Sequence, residues 1–198
     1  LTWNYPNELA SPNVKAGGPD LWPCPPDTEH GLTETGFAFL AEMERLHMIV
    51  DISHLSDRGI WDVIEHSTRP FAASHSNCRA LAPHCRNLTD EMIRAMAERG
   101  CIAGLNYCSA FLDDQPRGDL CRSTTALIAK HAAHYKQVGG ARMIALGSDF
   151  DGIGGKLELE NCSKMPLLAD ALRKEGFTED EVEGIFWRNA RRFFEDNL

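Results

Sequence analysis

Two histidines and one aspartate stand where apolar runs of this chain turn polar. His54 closes Met48-Ile49-Val50-Asp51-Ile52-Ser53-His54, and His75 closes Pro70-Phe71-Ala72-Ala73-Ser74-His75 twenty-one residues later. Asp149 follows the apolar run 143–146, inside Gly147-Ser148-Asp149-Phe150-Asp151-Gly152. Two imidazoles and a carboxylate suit Zn²⁺ or Mn²⁺, with a position left open for water. The glycines beside the carboxylates let backbone and ligand approach closely.

Such a site needs elements that bring three distant residues together. The runs 48–54, 70–75, 101–107 and 143–146 are rich in β-branched or small apolar residues and read as strands. Helices are expected over 36–46, over 56–65 with Ser56 as cap, over 90–99 ending at Gly100, and over 123–137 before Gly139-Gly140. Two more are expected over 166–174 and 179–195, the last opened by a Thr178–Glu181 capping box. Residues 1–4 read as one further strand, and the proline-rich stretch 6–32 as a long functional loop. Alternating strands and helices imply parallel strands with right-handed crossovers. In a parallel barrel, C-terminal strand ends share one rim, where His54, His75 and Asp149 would converge.

Composition narrows the class. The 198 residues carry 20 Lys+Arg and 29 Asp+Glu, a net charge of −9, with 43% hydrophobic and 25% charged residues. These are globular values, and the acidic balance argues against nucleic acid as partner. No apolar run reaches the length of a membrane span, so no membrane partner is expected. The seven cysteines are odd in number, irregularly spaced and without a C-x-x-C pair, which reads as buried free thiols and a cytoplasmic address. His84, Cys85 and Cys78, near Arg86, form a weaker candidate Cys/His metal cluster, whereas His131 and His134 read as packing residues.

Taken with Arg86-Asn87-Leu88-Thr89-Asp90, Leu1-Thr2-Trp3-Asn4 and Gly31-Leu32-Thr33, these motifs resemble the membrane dipeptidase (renal dipeptidase) family of zinc metallopeptidases, in order along the whole chain. The resemblance implies a (β/α)₈ barrel of TIM type, here one domain over 1–198 holding about five of eight strand–helix units, with the N-terminal units missing. It implies hydrolysis of dipeptides at a binuclear zinc site with a bridging water. His54 and His75 would bind one Zn²⁺, and Asp149 would ligate the other and accept a proton from the attacking water. Arg86 would grip the terminal carboxylate of a dipeptide substrate, and a homodimer would be expected.

Two departures qualify this picture. Trp3 stands where mammalian members carry a histidine, and Asn4 and Tyr5 are nearby candidates to replace it. The family's His-x-Asp pair and bridging glutamate have no counterpart in this sequence, so weak metal occupancy and little turnover are expected of the 198-residue chain alone. Two rival readings are a non-catalytic barrel fragment or degenerate paralogue that associates through open sheet edges, and another metal hydrolase of the amidohydrolase type.

Overall fold

The computed structural model describes residues 1–13, 24–113 and 122–198. Its central sheet is parallel: β1 (Ala72–Ala73), β2 (Ile102–Leu105) and β4 (Ile144–Leu146) are neighbours in that order. Ala73 pairs with Ala103, and Ala103 with Ile144. A parallel bridge from Asp51 to Ala72 adds the segment before β1, through Ile52 N to Ala72 O and Ala72 N to Val50 O, both 2.9 Å. Four extended segments thus lie side by side in chain order without reversal.

The helices follow from caps and apolar faces. They are α1 (Glu34–Arg45), α2 (Asp57–His66), α3 (Asp90–Glu98), α4 (Thr125–Gly139), α5 (Met165–Lys174), α6 (Glu179–Glu183) and α7 (Asn189–Asn197). Ser56 caps α2 through Gly59 N, Thr89 caps α3, and the Thr178–Glu181 capping box opens α6. Met92, Ile93 and Met96 form the buried face of α3. Gly100 and Gly140 take positive φ just past α3 and α4, where a side chain would be strained.

Both faces of the sheet are covered, as expected of short parallel strands without polar alternation. Ala73, Ala103, Leu105 and Ile144 join the main core beneath the helices, while Ala72, Ile102 and Ala145 meet Phe193 of α7. A second, two-residue parallel pairing joins β3 (Arg122–Ser123) to β5 (Lys156–Leu157). Among the described residues no helix is long and apolar enough to cross a membrane.

The structure corrects three expectations. Residues 1–4 form no strand and enter a bend at 3–5, because Thr2 Oγ1 and Asn4 bond to His54 instead of entering a ladder. The run 48–54 makes only the Asp51 bridge, because its polar end turns away to bond through side chains. The helix expected over 179–195 is interrupted by a π-helical turn, Gly184–Arg188. That extra residue per turn aims Asn189 at the start of β4, where its Nδ2 donates to Ile144 O at 2.8 Å and Ala141 O at 2.9 Å. The fifth strand–helix unit, counted from residues 1–4, loses its strand accordingly.

Candidate active site

The rim of the sheet is built around one carboxylate. Asp51 Oδ1 accepts from Ser53 N at 3.1 Å, Ser53 Oγ at 2.9 Å and Ser74 N at 2.8 Å, and Oδ2 accepts from Ser74 Oγ at 2.6 Å. Burial alone would raise this carboxyl, but the hydrogen bonds from Ser74 and Ser53 outweigh it and hold its pKa low. Ser53 Oγ in turn accepts from His75 N at 3.0 Å. Two adjacent strand ends are therefore sewn together by side chains just beyond the point where their ladder stops.

This network sets the tautomers of both histidines. Ser74 Oγ–H is committed to Asp51, so the hydroxyl oxygen accepts from His75 Nδ1 at 2.6 Å. His54 Nδ1 lies 3.1 Å from Asn4 Oδ1, a carbonyl oxygen that can only accept. Both Nδ1 atoms thus carry hydrogen, and both Nε2 atoms present lone pairs. These face each other at 2.8 Å. Burial first, then Arg86 and His75, hold His54 at about 3, and burial and Arg86 also lower His75. Two neutral nitrogens so close repel unless they share a cation. Zinc at ~2.0–2.1 Å from each would separate them to about 3.3 Å, a few tenths more than the present gap. The histidine pair therefore fits one zinc-type ion.

Arg86 supplies the positive charge. It is 4% exposed, its guanidinium lies 5.3 Å from the centre of the Phe111 ring, and Nη2 donates to His54 Nε2 at 3.2 Å. Burial lowers its pKa to about 10, which leaves it charged at neutral pH. Nη1 is buried with no hydrogen-bond partner, and no carboxylate pairs with Arg86 among the described residues. Asp51 and Asp149 act on it only through space, and a buried cation with no direct carboxylate partner favours an anionic ligand.

Asp149 arrives on a strained turn. It has φ +62°, a left-handed conformation that aspartate tolerates better than most residues, and Gly152 N closes the turn onto its carbonyl at 3.0 Å. A Cβ on Gly152 would lie 2.3 Å from Asp149 Oδ1. Buried Asn106 donates through Nδ2 to Asp149 Oδ2 at 3.2 Å and to His75 O at 3.4 Å, joining β2 to both rim residues. Asn106 is itself fixed by the side chain of Asn77, whose Nδ2 donates to Asn106 O at 2.9 Å and whose Oδ1 accepts from Asn106 N at 3.0 Å.

Trp3, His54, Arg86, Phe111, Asp149 and Gly152 line one cavity of about 370 Å³, within the range of small-ligand sites, roughly 300–1,000 Å³. The structure thus brings His54, His75 and Arg86 into direct contact and sets Asp149 on the same cavity. It does not join Asp149 to the two histidines as a compact donor trio. Among the described residues, the trio whose ligand atoms all lie within 4.8 Å of one another is Cys24, His84 and Cys85. Cys24 thus replaces Cys78 in the weaker cluster read from the sequence, because Cys78 packs against His131, whose Nδ1 accepts its backbone N–H at 3.1 Å. Trp3 is exposed at the mouth with its ring 6.4 Å from that of His54, while Asn4 makes the polar contact.

The sequence reading gave no role to Asp51, Ser74 or Asn106. The available signal was period-two spacing, which puts Asp51 and Ser53 on one face just ahead of His54.

Comparison with known proteins identifies the family. The sequence model of the membrane dipeptidase family, peptidase family M19, matches residues 1–197. An uncharacterised protein from the pqqA 5′ region of Klebsiella pneumoniae is 36% identical over 96% of this chain and 68% of its own length. An uncharacterised dipeptidase of Schizosaccharomyces pombe is 33% identical over 97% of this chain, which spans only 44% of that protein. A metallo peptidase from Rhodobacter sphaeroides, solved with a phosphinate mimic of the dipeptide L-Ala-D-Ala, superposes with a TM-score of 0.83 at 32% identity, covering 89% of this chain and 50% of that one. The α/β fold is that of these peptidases, and the chain belongs to the membrane dipeptidase family of metallopeptidases.

Proposed function

We propose that this chain carries the histidine, aspartate and arginine portion of a zinc-dependent dipeptidase centre, set on a (β/α)₈ wall of which it contributes part. The observation that carries the reading is the buried Arg86 guanidinium, which lines the cavity beside the histidine pair and has no carboxylate partner among the described residues. A dipeptide with a free C-terminus supplies that anion, and a planar guanidinium receives it through two nitrogens. In this reading His54 and His75 hold one Zn²⁺ and Asp149 serves the other. Bound there, zinc would lower the pKa of a coordinated water and polarise the scissile carbonyl. Asp149, with Oδ2 held by Asn106, takes up the proton released by the attacking water on its carboxylate. Arg86 fixes the substrate's C-terminal end, and Phe111 keeps the guanidinium in place.

Binding tests this directly. The zinc-loaded chain should bind a phosphinate dipeptide with a free carboxylate at least tenfold more tightly than its C-terminal amide, and Arg86→Gln should erase the difference. Equal binding of acid and amide by the wild-type chain would overturn the role given to Arg86. The double variant His54→Asn/His75→Asn should lose one equivalent of zinc, and an unchanged stoichiometry would overturn the metal assignment. Hydrolysis of Gly-D-Ala is measured alongside, and both Arg86→Gln and the double variant should lower it.

A further inference from the structure

We propose that Cys24, His84 and Cys85 form a second metal site, for a thiophilic cation of the zinc type, distinct from the histidine pair. Residue 24 lies sixty positions from residue 84, so local chain geometry does not force them together. Yet their three donor atoms all lie within 4.8 Å of one another. All three residues are buried, at 3%, 1% and 2% exposure. The two cysteines pack as a pair of their own, apart from the main hydrophobic core, so filling that core does not account for them.

The chemistry favours a soft, doubly charged ion. Two thiolates and an imidazole are a recurrent zinc donor set, and two thiolates neutralise the charge of a divalent ion. A neutral complex can stay buried next to Arg86 and Arg79, whose Nη2 donates to Cys85 O at 3.2 Å. Spacing agrees: Cys85 Sγ lies 3.8 Å from His84 Nδ1, against about 3.6 Å between sulfur and nitrogen ligands of one tetrahedral zinc. His84 Nδ1 now accepts Arg86 N at 3.1 Å. Metal binding exchanges the hydrogen bonds at His84 Nδ1 and Cys85 Sγ for three metal–ligand bonds, and ties the segment after residue 23 to the backbone next to Arg86.

Cobalt(II) serves as the optical probe on the full chain. One equivalent should produce the intense near-ultraviolet thiolate-to-cobalt band, retained in His54→Asn/His75→Asn and lost in Cys24→Ser and in Cys85→Ser. Zinc K-edge absorption of the zinc-loaded wild-type chain needs no substitution and should show sulfur scatterers at ~2.3 Å. The proposal is overturned by a cobalt complex without the thiolate band, by a band that survives Cys24→Ser, or by a zinc spectrum with nitrogen and oxygen scatterers alone. It is equally overturned if chain purified under reducing conditions is found by peptide mapping to hold Cys24 and Cys85 as a disulfide.

Discussion

Replacing Asp51 with asparagine should damage metal binding far more than folding. The carboxylate accepts four hydrogen bonds, three on Oδ1 and one, from Ser74 Oγ, on Oδ2. Asparagine keeps an acceptor for the first three. Its amide nitrogen, placed at Oδ2, donates instead of accepting, so the Ser74 hydroxyl must reverse and donate to His75 Nδ1. His75 then carries its hydrogen on Nε2, pointing at His54 Nε2 across 2.8 Å. That arrangement is a sound hydrogen bond without metal and an obstruction to metal. Loss of a partner that orients a histidine ligand typically costs 10–100-fold in affinity, about 1.4–2.7 kcal/mol. The assay is competition for Zn²⁺ against a chromogenic chelator in a Cys24→Ser/Cys85→Ser background, which isolates the histidine pair, with urea unfolding in parallel. Asp51→Ala, which strands the amides of Ser53 and Ser74, should instead lower stability by about 3 kcal/mol. Wild-type zinc affinity in Asp51→Asn would refute the tautomer argument, whatever the stability.

Three further outcomes are expected. A Cβ at Gly147 would lie 2.0 Å from Ser74 O, so Gly147→Ala should cost about 2–3 kcal/mol in urea unfolding and loosen the rim that carries His75. His131 is fully buried, its Nε2 donating to Leu112 O at 3.1 Å, and burial lowers its pKa to about 4. Its neutral form stabilises the fold fully above its unfolded pKa, ~6.5, and that contribution is lost as pH falls toward 4. The total is about 3 kcal/mol, so the wild-type chain should lose more stability between pH 7 and pH 4.5 than His131→Asn does. Thr178→Ala removes the α6 capping box and should cost about 1 kcal/mol, read as a lower melting temperature with unchanged zinc binding.

The elements legible in the sequence were those set by local rules. Ser56 and Thr178 were found as caps because a cap needs only a hydroxyl and a following apolar period. His54 and His75 were found because each ends a run that only a buried strand would contain. Their supports were not, because Asp51, Ser74 and Asn106 act through side chains that cross between strands, and no period records such a contact. Cys24 escaped for the same reason: its partners lie sixty residues away and share no motif with it. The π-helical turn was hidden because the contact it serves, Asn189 Nδ2 to Ile144 O at the start of β4, joins residues 45 positions apart. Residues 1–4 read as a strand from their composition, but their hydrogen bonds go to His54.

The bridge between Asp51 and Ala72 links two equilibria. The carboxylate that orients His75 belongs to one segment and His75 to the next, and just two backbone hydrogen bonds hold the segments together at that point. In the proposed zinc centre, fraying of the pair and departure of the ion would be one event, and the ion would act as a clasp on strand pairing. A ligand present at a hundred times its dissociation constant stabilises the state that binds it by about 2.7 kcal/mol. Hydrogen exchange at the Ile52 and Ala72 amides should slow by up to two orders of magnitude when zinc is added, while amides in α5 keep their rates.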